Sequence, residues 1–252
     1  MLKSIKNMLS FLTIFPVGMT EDCLNDAAEH MYLFPLIGAL LGFLAGIFAL
    51  ALNYVLPSLA VGALTCGFLL LLTGLHHTDG LLDFGDGLMC HGTPEEKIRA
   101  MHDVQTGTGG FTLGIITILV TALSISQLRN GIILQGLVVS EVSAKLSMVA
   151  LAWLGKSAHE GMNTYFIRAM HGNNRKMTGA LIISLAIALI TLKIAGVITI
   201  ILGLITAAIL LAISDKHFRG VTGDVMGASN ELTRAVSLLA ILSLSQKANW
   251  LP

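Results

Sequence analysis

Three aspartates, Asp79, Asp83 and Asp86, fall in the run Leu75-His-His-Thr-Asp-Gly-Leu-Leu-Asp-Phe-Gly-Asp-Gly87, directly after an apolar stretch long enough to cross a bilayer. Their spacing is i, i+4, i+7. At about 100° per residue these positions return to one face of a helix. Three carboxylates on one face repel one another unless a cation or a proton relieves them, so the stripe is a candidate divalent-metal site for handling phosphate. Acids that merely complement a helix dipole are the plainer reading. A single stripe at a membrane boundary, where charge is costly, favours metal binding instead. His77, just ahead of the stripe, is a candidate for coordinating metal or binding phosphate.

Two further groups could join this chemistry. His91-Gly-Thr-Pro-Glu-Glu predicts a helix start with Thr93 as N-cap, Pro94 at N1 and Glu96 at N3. That helix would end near Met101-His102-Asp103 and return Asp103 to the acidic stripe. Thr106-Gly-Thr-Gly-Gly follows at the mouth of an apolar segment. Glycines ahead of a helix let backbone N–H groups approach an anion, which makes Gly107, Gly109 and Gly110 candidate phosphate contacts, although the Gly-Lys-Ser/Thr ending of a P-loop is absent. Far downstream, Thr222-Gly-Asp-Val-Met-Gly-Ala-Ser-Asn-Glu231 places Asp224 and Glu231 seven apart, again on one helical face. Glu141 and Lys145, four apart inside an apolar segment, read as an intrahelical ion pair, with an ion path as the alternative.

The elements that must position these residues are membrane helices. With 54% hydrophobic residues, a mean hydropathy of +0.80 and 12% charged residues, the chain has too little polar surface for a soluble globule. It reads as a single all-α domain, 1–252, a polytopic helix bundle in the lipid bilayer with about seven spans: 31–56, 57–75, 109–128, 131–155, 178–192, 194–213 and 232–245. The opening segment, with Lys3 and Lys6 ahead of a run of about ten apolar residues, resembles a signal peptide but has no clean small-x-small cleavage site. An interfacial or re-entrant helix is the better expectation.

With the N-terminus cytoplasmic, the inner loops hold Lys3, Lys6, Lys97, Arg99, Lys156, Arg168, Arg175, Lys176, Lys216 and Arg219, against Arg129, Lys193 and Lys247 outside. The positive-inside rule favours that topology and puts all long polar loops on the cytoplasmic face of the cell membrane. Cys23, Cys66 and Cys90 are too few and too irregularly spaced for a zinc or disulfide framework. A net charge of zero gives no sign of nucleic-acid binding.

The motifs together resemble the cobalamin synthase family. His77-Thr-Asp79-Gly-Leu-Leu-Asp83-Phe-Gly-Asp86-Gly is similar to its His-x-Asp-Gly-Leu-x-Asp-x-x-Asp-Gly signature. Asp103-Val-Gln-Thr-Gly107-Thr-Gly-Gly and the block from Thr222 to Glu231 resemble two further family blocks in the same order. Leu9 to Pro16 and Phe34-Pro-Leu-Ile-Gly38 also fit. His76 and Thr78 depart from the usual aromatic and leucine, and near Ser143, where the family often has an arginine, this chain carries Ala144 and Lys145.

The resemblance implies a Mg²⁺-dependent phosphotransferase that joins adenosylcobinamide-GDP to alpha-ribazole or its 5′-phosphate, giving adenosylcobalamin or its phosphate and releasing GMP. On that reading Asp79, Asp83 and Asp86 hold metal and Asp103 is a further ligand or the base for the ribose hydroxyl. His77, Gly107, Gly109, Gly110, Asp224 and Glu231 contact substrate. Association of identical copies stays open. A CDP-alcohol phosphotransferase is the second reading, against which Leu81-Leu82-Asp83 stands where an Asp-Gly-x-x-Ala-Arg motif is expected. A cation transporter using Glu141 and the aspartates is the third.

Overall fold

The computed structural model describes residues 2–15, 17 and 22–247; Pro16 of the opening motif and Gly18 of the signal-like segment lie outside the described residues. The described elements are the helices α1 Leu2–Leu12, α2 Cys23–Glu29, α3 Phe34–Asn53, α4 Ser58–Leu72, α5 His76–Met89, α6 Pro94–Met101, α7 Thr108–Gln127, α8 Ile133–Leu154, α9 Met162–Met170, α10 Asn174–Phe218 and α11 Gly223–Lys247, with a 3₁₀ turn at Met31–Leu33. A lone bridge joins Ser157 to Val221.

Helix α8 is the axis of the bundle: 89% of its most apolar 18 residues are buried, against 33% for α7. Gly38, Gly42 and Gly46 stripe α3 at every fourth position. A Cβ on Gly42 would lie 2.6 Å from the Val138 Cα, and one on Gly46 2.9 Å from the Leu134 Cα, so the α3 and α8 backbones touch. In a bilayer, where lipid tails match side chains in polarity, such close packing is what holds helices together.

Helices Met31–Asn53, Thr108–Gln127, Ile133–Leu154 and Asn174–Phe218 are each long and apolar enough to cross a bilayer. As one rod, the 45-residue α10 would run about 67 Å, more than twice a hydrocarbon core. Lys193, at φ 52° and ψ −134°, breaks it, and Gly196 backs onto the Ala188 backbone, so 174–192 and 194–218 form a helical hairpin. This agrees with separate segments on either side of Lys193. The expectation of seven spans is met only in part. By length and composition α4 qualifies only jointly with α5, as a pair bent by 95°, and α11 does not qualify.

That bend sets the site. Helix α4 closes with the N–H of Gly74 donating to Leu71 O and that of Leu75 to Leu70 O, both at 3.0 Å, with Gly74 at φ 62° and Leu75 at φ 63°. This double closure caps the last carbonyls of the helix through left-handed residues, a conformation natural for Gly74 and costly for Leu75 by roughly 1–2 kcal/mol. The chain therefore leaves the axis of α4 and lays α5 across the end of the bundle. The other polar loops meet at the same end. Arg219 pairs with Glu95 at 2.6 Å, the N–H of Val221 donates to Lys156 O at 2.7 Å, and Lys176 pairs with Glu29 at 2.6 Å.

Candidate active site

Helix α5 is clamped from three sides. Helix α6 starts as expected from Thr93: the N–H of Glu96 donates to Thr93 Oγ1 at 3.3 Å, and the N–H of Thr93 donates to Glu96 Oε2 at 2.7 Å. It then sends the Lys97 ammonium to the Leu88 and Cys90 carbonyls at the end of α5. Helix α7 crosses where a Cβ on Gly85 would stand 2.8 Å from the Gly110 Cα, and α11 crosses where one on Gly80 would stand 3.0 Å from the Asp224 Cα. Glycine at these crossings lets three backbones converge on one acidic turn.

The result joins distant parts of the chain. Asp224 opens α11, whose first turn is capped by Thr222 Oγ1 accepting from the N–H of Val225 at 3.2 Å. Burial pushes the Asp83 carboxyl up to about 7, and the negative charges of Asp224, Asp79 and Asp86 add to the shift. Asp224, ahead of the apolar part of α11, is also pushed up by burial, opposed by His102, by a hydrogen bond from Thr222 and by His159. The acids are thus close enough to feel one another, as expected of a stripe that shares one site.

Asp86 is held by two backbone amides. Its Oδ2 accepts from the N–H of Gly107 at 2.7 Å and its Oδ1 from that of Gly110 at 2.8 Å. Two of the amides read from sequence as phosphate donors therefore serve to hold an acid. A Cβ on Gly109 would lie 2.7 Å from Gly85 O, so this residue contributes close packing. Asp103 accepts from the N–H of Gln105 at 3.0 Å and shares with Asp86 a shallow polar cleft of about 270 Å³.

A second cavity, of about 380 Å³, is lined by Asp79, Asp224, His76 and His77 and by Phe11, Phe34 and Phe166 with several methionines. Among the described residues, no three His, Cys, Asp or Glu side chains already converge as a metal cage. The donor chemistry nevertheless fits a hard cation: the cluster is all carboxylate oxygen, and its mutual repulsion is what a divalent ion would relieve.

Glu231 lies elsewhere. It is buried, pairs with Arg234 and accepts from Asn230 Nδ2 at 3.0 Å. Arg234 also pairs with Glu141, whose separation from Lys145 is 3.9 Å. The intrahelical pair read from sequence is therefore the weaker half of a buried network of two acids and two bases. Lys145 Nζ donates to Asn230 Oδ1 at 2.6 Å and stands 3.5 Å from His77 Nε2, which touches the network from the site. Sequence reasoning missed Arg234, although its i, i+3 spacing from Glu231 was a signal. It also missed the aromatic cluster, whose members come from three separate elements.

Known proteins match along nearly the whole chain. The family model described as cobalamin-5-phosphate synthase covers residues 4–242. A Methanococcoides burtonii protein named adenosylcobinamide-GDP ribazoletransferase is 34% identical, over 95% of this chain and 92% of its own length. Proteins of that name from Pyrococcus abyssi and Archaeoglobus fulgidus are each 30% identical, over 96% and 98% of this chain and 98% and 100% of their own lengths. No solved structure matches the chain. A match of that extent shows that this chain belongs to the cobalamin-5-phosphate synthase family.

Proposed function

We propose that this chain is an adenosylcobinamide-GDP ribazoletransferase, joining adenosylcobinamide-GDP to alpha-ribazole or its 5′-phosphate and releasing GMP. The observation that carries this reading is the packing of α5, which bears Asp79, Asp83 and Asp86, against the start of α11 from the far end of the chain, where a Cβ on Gly80 would lie 3.0 Å from the Asp224 Cα, with Asp86 lining one cleft and Asp79 and Asp224 a second cavity. A diphosphate repels an incoming hydroxyl, so the reaction needs cations on phosphate and in-line positioning more than covalent help. Asp79, Asp83, Asp86 and Asp224 would hold Mg²⁺, which when bound neutralises phosphate oxygens. Gly107 and Gly110 fix the Asp86 carboxylate. Asp103, sharing a cleft with Asp86, fits the diphosphate side better than proton abstraction in the apolar cavity. Glu231 acts through Arg234 and Asn230 as a positioning residue.

The decisive assay supplies purified protein in lipid nanodiscs with both substrates, with and without Mg²⁺, and follows GMP release. Turnover that needs Mg²⁺ and both substrates is the expected result; GMP release without ribazole, or none at all, would remove the reading. For the membrane arrangement we propose seven spans, with the N-terminus and the site on the cytoplasmic face of the cell membrane. The basic residues of the inner loops and the gathering of those loops at one end support it. In a Cys90→Ser background, His91→Cys should label from the cytoplasm and Asn130→Cys from outside. The reverse pattern would overturn the topology.

A further inference from the structure

The cavity beside Asp79 and Asp224 is built unlike a nucleotide site. Phe11 and Phe166 lie 5.0 Å apart between ring centroids, Phe34 and Phe166 5.9 Å, and Phe11 and Phe34 6.4 Å, so the three rings pack as one cluster in which Phe11 is half-buried and Phe34 and Phe166 are almost wholly covered. Met148 and Met162 line the same space, a soft, adaptable complement to flat aromatic ligands. Its polar side chains are Ser10, His76, His77, Asp79, Asn163 and Asp224. Asn163 lines it too, but its amide already donates to Ser157 Oγ at 2.7 Å and to Val221 O at 2.8 Å. The buried Ser10 hydroxyl, by contrast, has no hydrogen-bond partner. A volume of about 380 Å³ is at the small end for organic ligands and far below what a corrinoid needs.

We infer that this cavity is the subsite for the base of the incoming nucleoside, with Phe11 stacking on a benzimidazole-like bicyclic ring, Phe34 and Phe166 backing Phe11, and Ser10 hydrogen-bonding the nucleoside. The inference rests on the transferase reading above and assigns its two substrates to two compartments. The aromatic cluster and the methionines favour a base with few edge donors and acceptors, since each such group buried unpaired carries a desolvation penalty. The polar cleft of Asp86 and Asp103 has the carboxylate and backbone groups that a nucleoside diphosphate needs. Asp79 and Asp224 then stand at the boundary, where the ribose hydroxyl would meet the diphosphate.

Two measurements test this separately from turnover. Calorimetric titration of alpha-ribazole into the purified protein, without the second substrate, should show binding that free benzimidazole competes for and guanine does not. In steady state, Phe166→Leu and, independently, Phe11→Leu on the N-terminal helix should raise KM for ribazole about 10-fold, leaving KM for adenosylcobinamide-GDP within about 2-fold. Phe166→Tyr should restore most of the loss. Phe68→Leu, stacked on Phe48 away from the cavity, is the control. Wild-type protein that binds ribazole without turnover would sink the transferase reading and leave the subsite. An active enzyme whose Phe variants keep the wild-type KM for ribazole, or shift only that for the nucleotide-activated substrate, would sink the subsite.

Discussion

Two clusters of charge stand side by side in this molecule, and they are built on opposite principles. The aspartates of α5 and α11 carry one sign, keep partial access to solvent, and gain no cationic side chain at ion-pair distance among the described residues. Glu141, Lys145, Glu231 and Arg234 are almost completely excluded from solvent, yet they alternate in sign and satisfy one another. An uncompensated cluster that survives in a folded protein implies an external partner, whereas a compensated one implies structure. The same contrast weighs against the transporter reading, because Glu141 is held by Arg234 instead of lining an open path.

The largest effect should come from breaking the first cluster. Asp83→Asn keeps side-chain volume while removing one negative charge, so turnover should fall by at least about 100-fold with thermal stability in detergent unchanged or improved. Near-normal turnover would take Asp83 out of the mechanism. The mirror experiment is Arg234→Ala. Stranding two buried carboxylates should cost about 3–5 kcal/mol, seen as a much lower melting temperature or loss of folded protein. If Arg234→Ala melts normally, the buried network does not hold the fold.

Asp224→Ala tests whether the two ends of the chain share one site. Activity should drop and the Mg²⁺ concentration for half-maximal rate should rise roughly 10–100-fold, so that added Mg²⁺ restores part of the rate. An unchanged Mg²⁺ dependence would move Asp224 from metal holding to substrate binding. The smallest effect belongs to Glu160→Ala. That exposed acid neighbours His159 but belongs to neither cluster, and both rate and melting temperature should stay within error.

How much of this was legible beforehand differs from residue to residue. The i, i+4, i+7 stripe, the Thr93 capping box and the break at Lys193 were readable because helical geometry and local hydrogen bonds depend on neighbours in sequence. Hydropathy marked the apolar segments for the same reason. Helices α2 and α9 were not anticipated: they are short, and they are held by packing, α2 on α1 and α9 on α2 and α8. Gly107 and Gly110 were read as waiting for phosphate, since sequence shows an available N–H and not the Asp86 carboxylate that folding brings to it.

By itself, then, the sequence determined that the chain is helical with segments apolar enough to cross a membrane, that its acids fall on one stripe, and that its motifs match one family. Periodicity, hydropathy and motif order are properties of the chain as a string. Tertiary structure alone decided that Asp224 joins the stripe while Glu231, seven residues on and on the same helical face, turns to Arg234. Two turns carry a side chain about 10 Å along a helix. At the end of a bundle, that distance separates a carboxylate that meets substrate from one sealed among neighbouring helices.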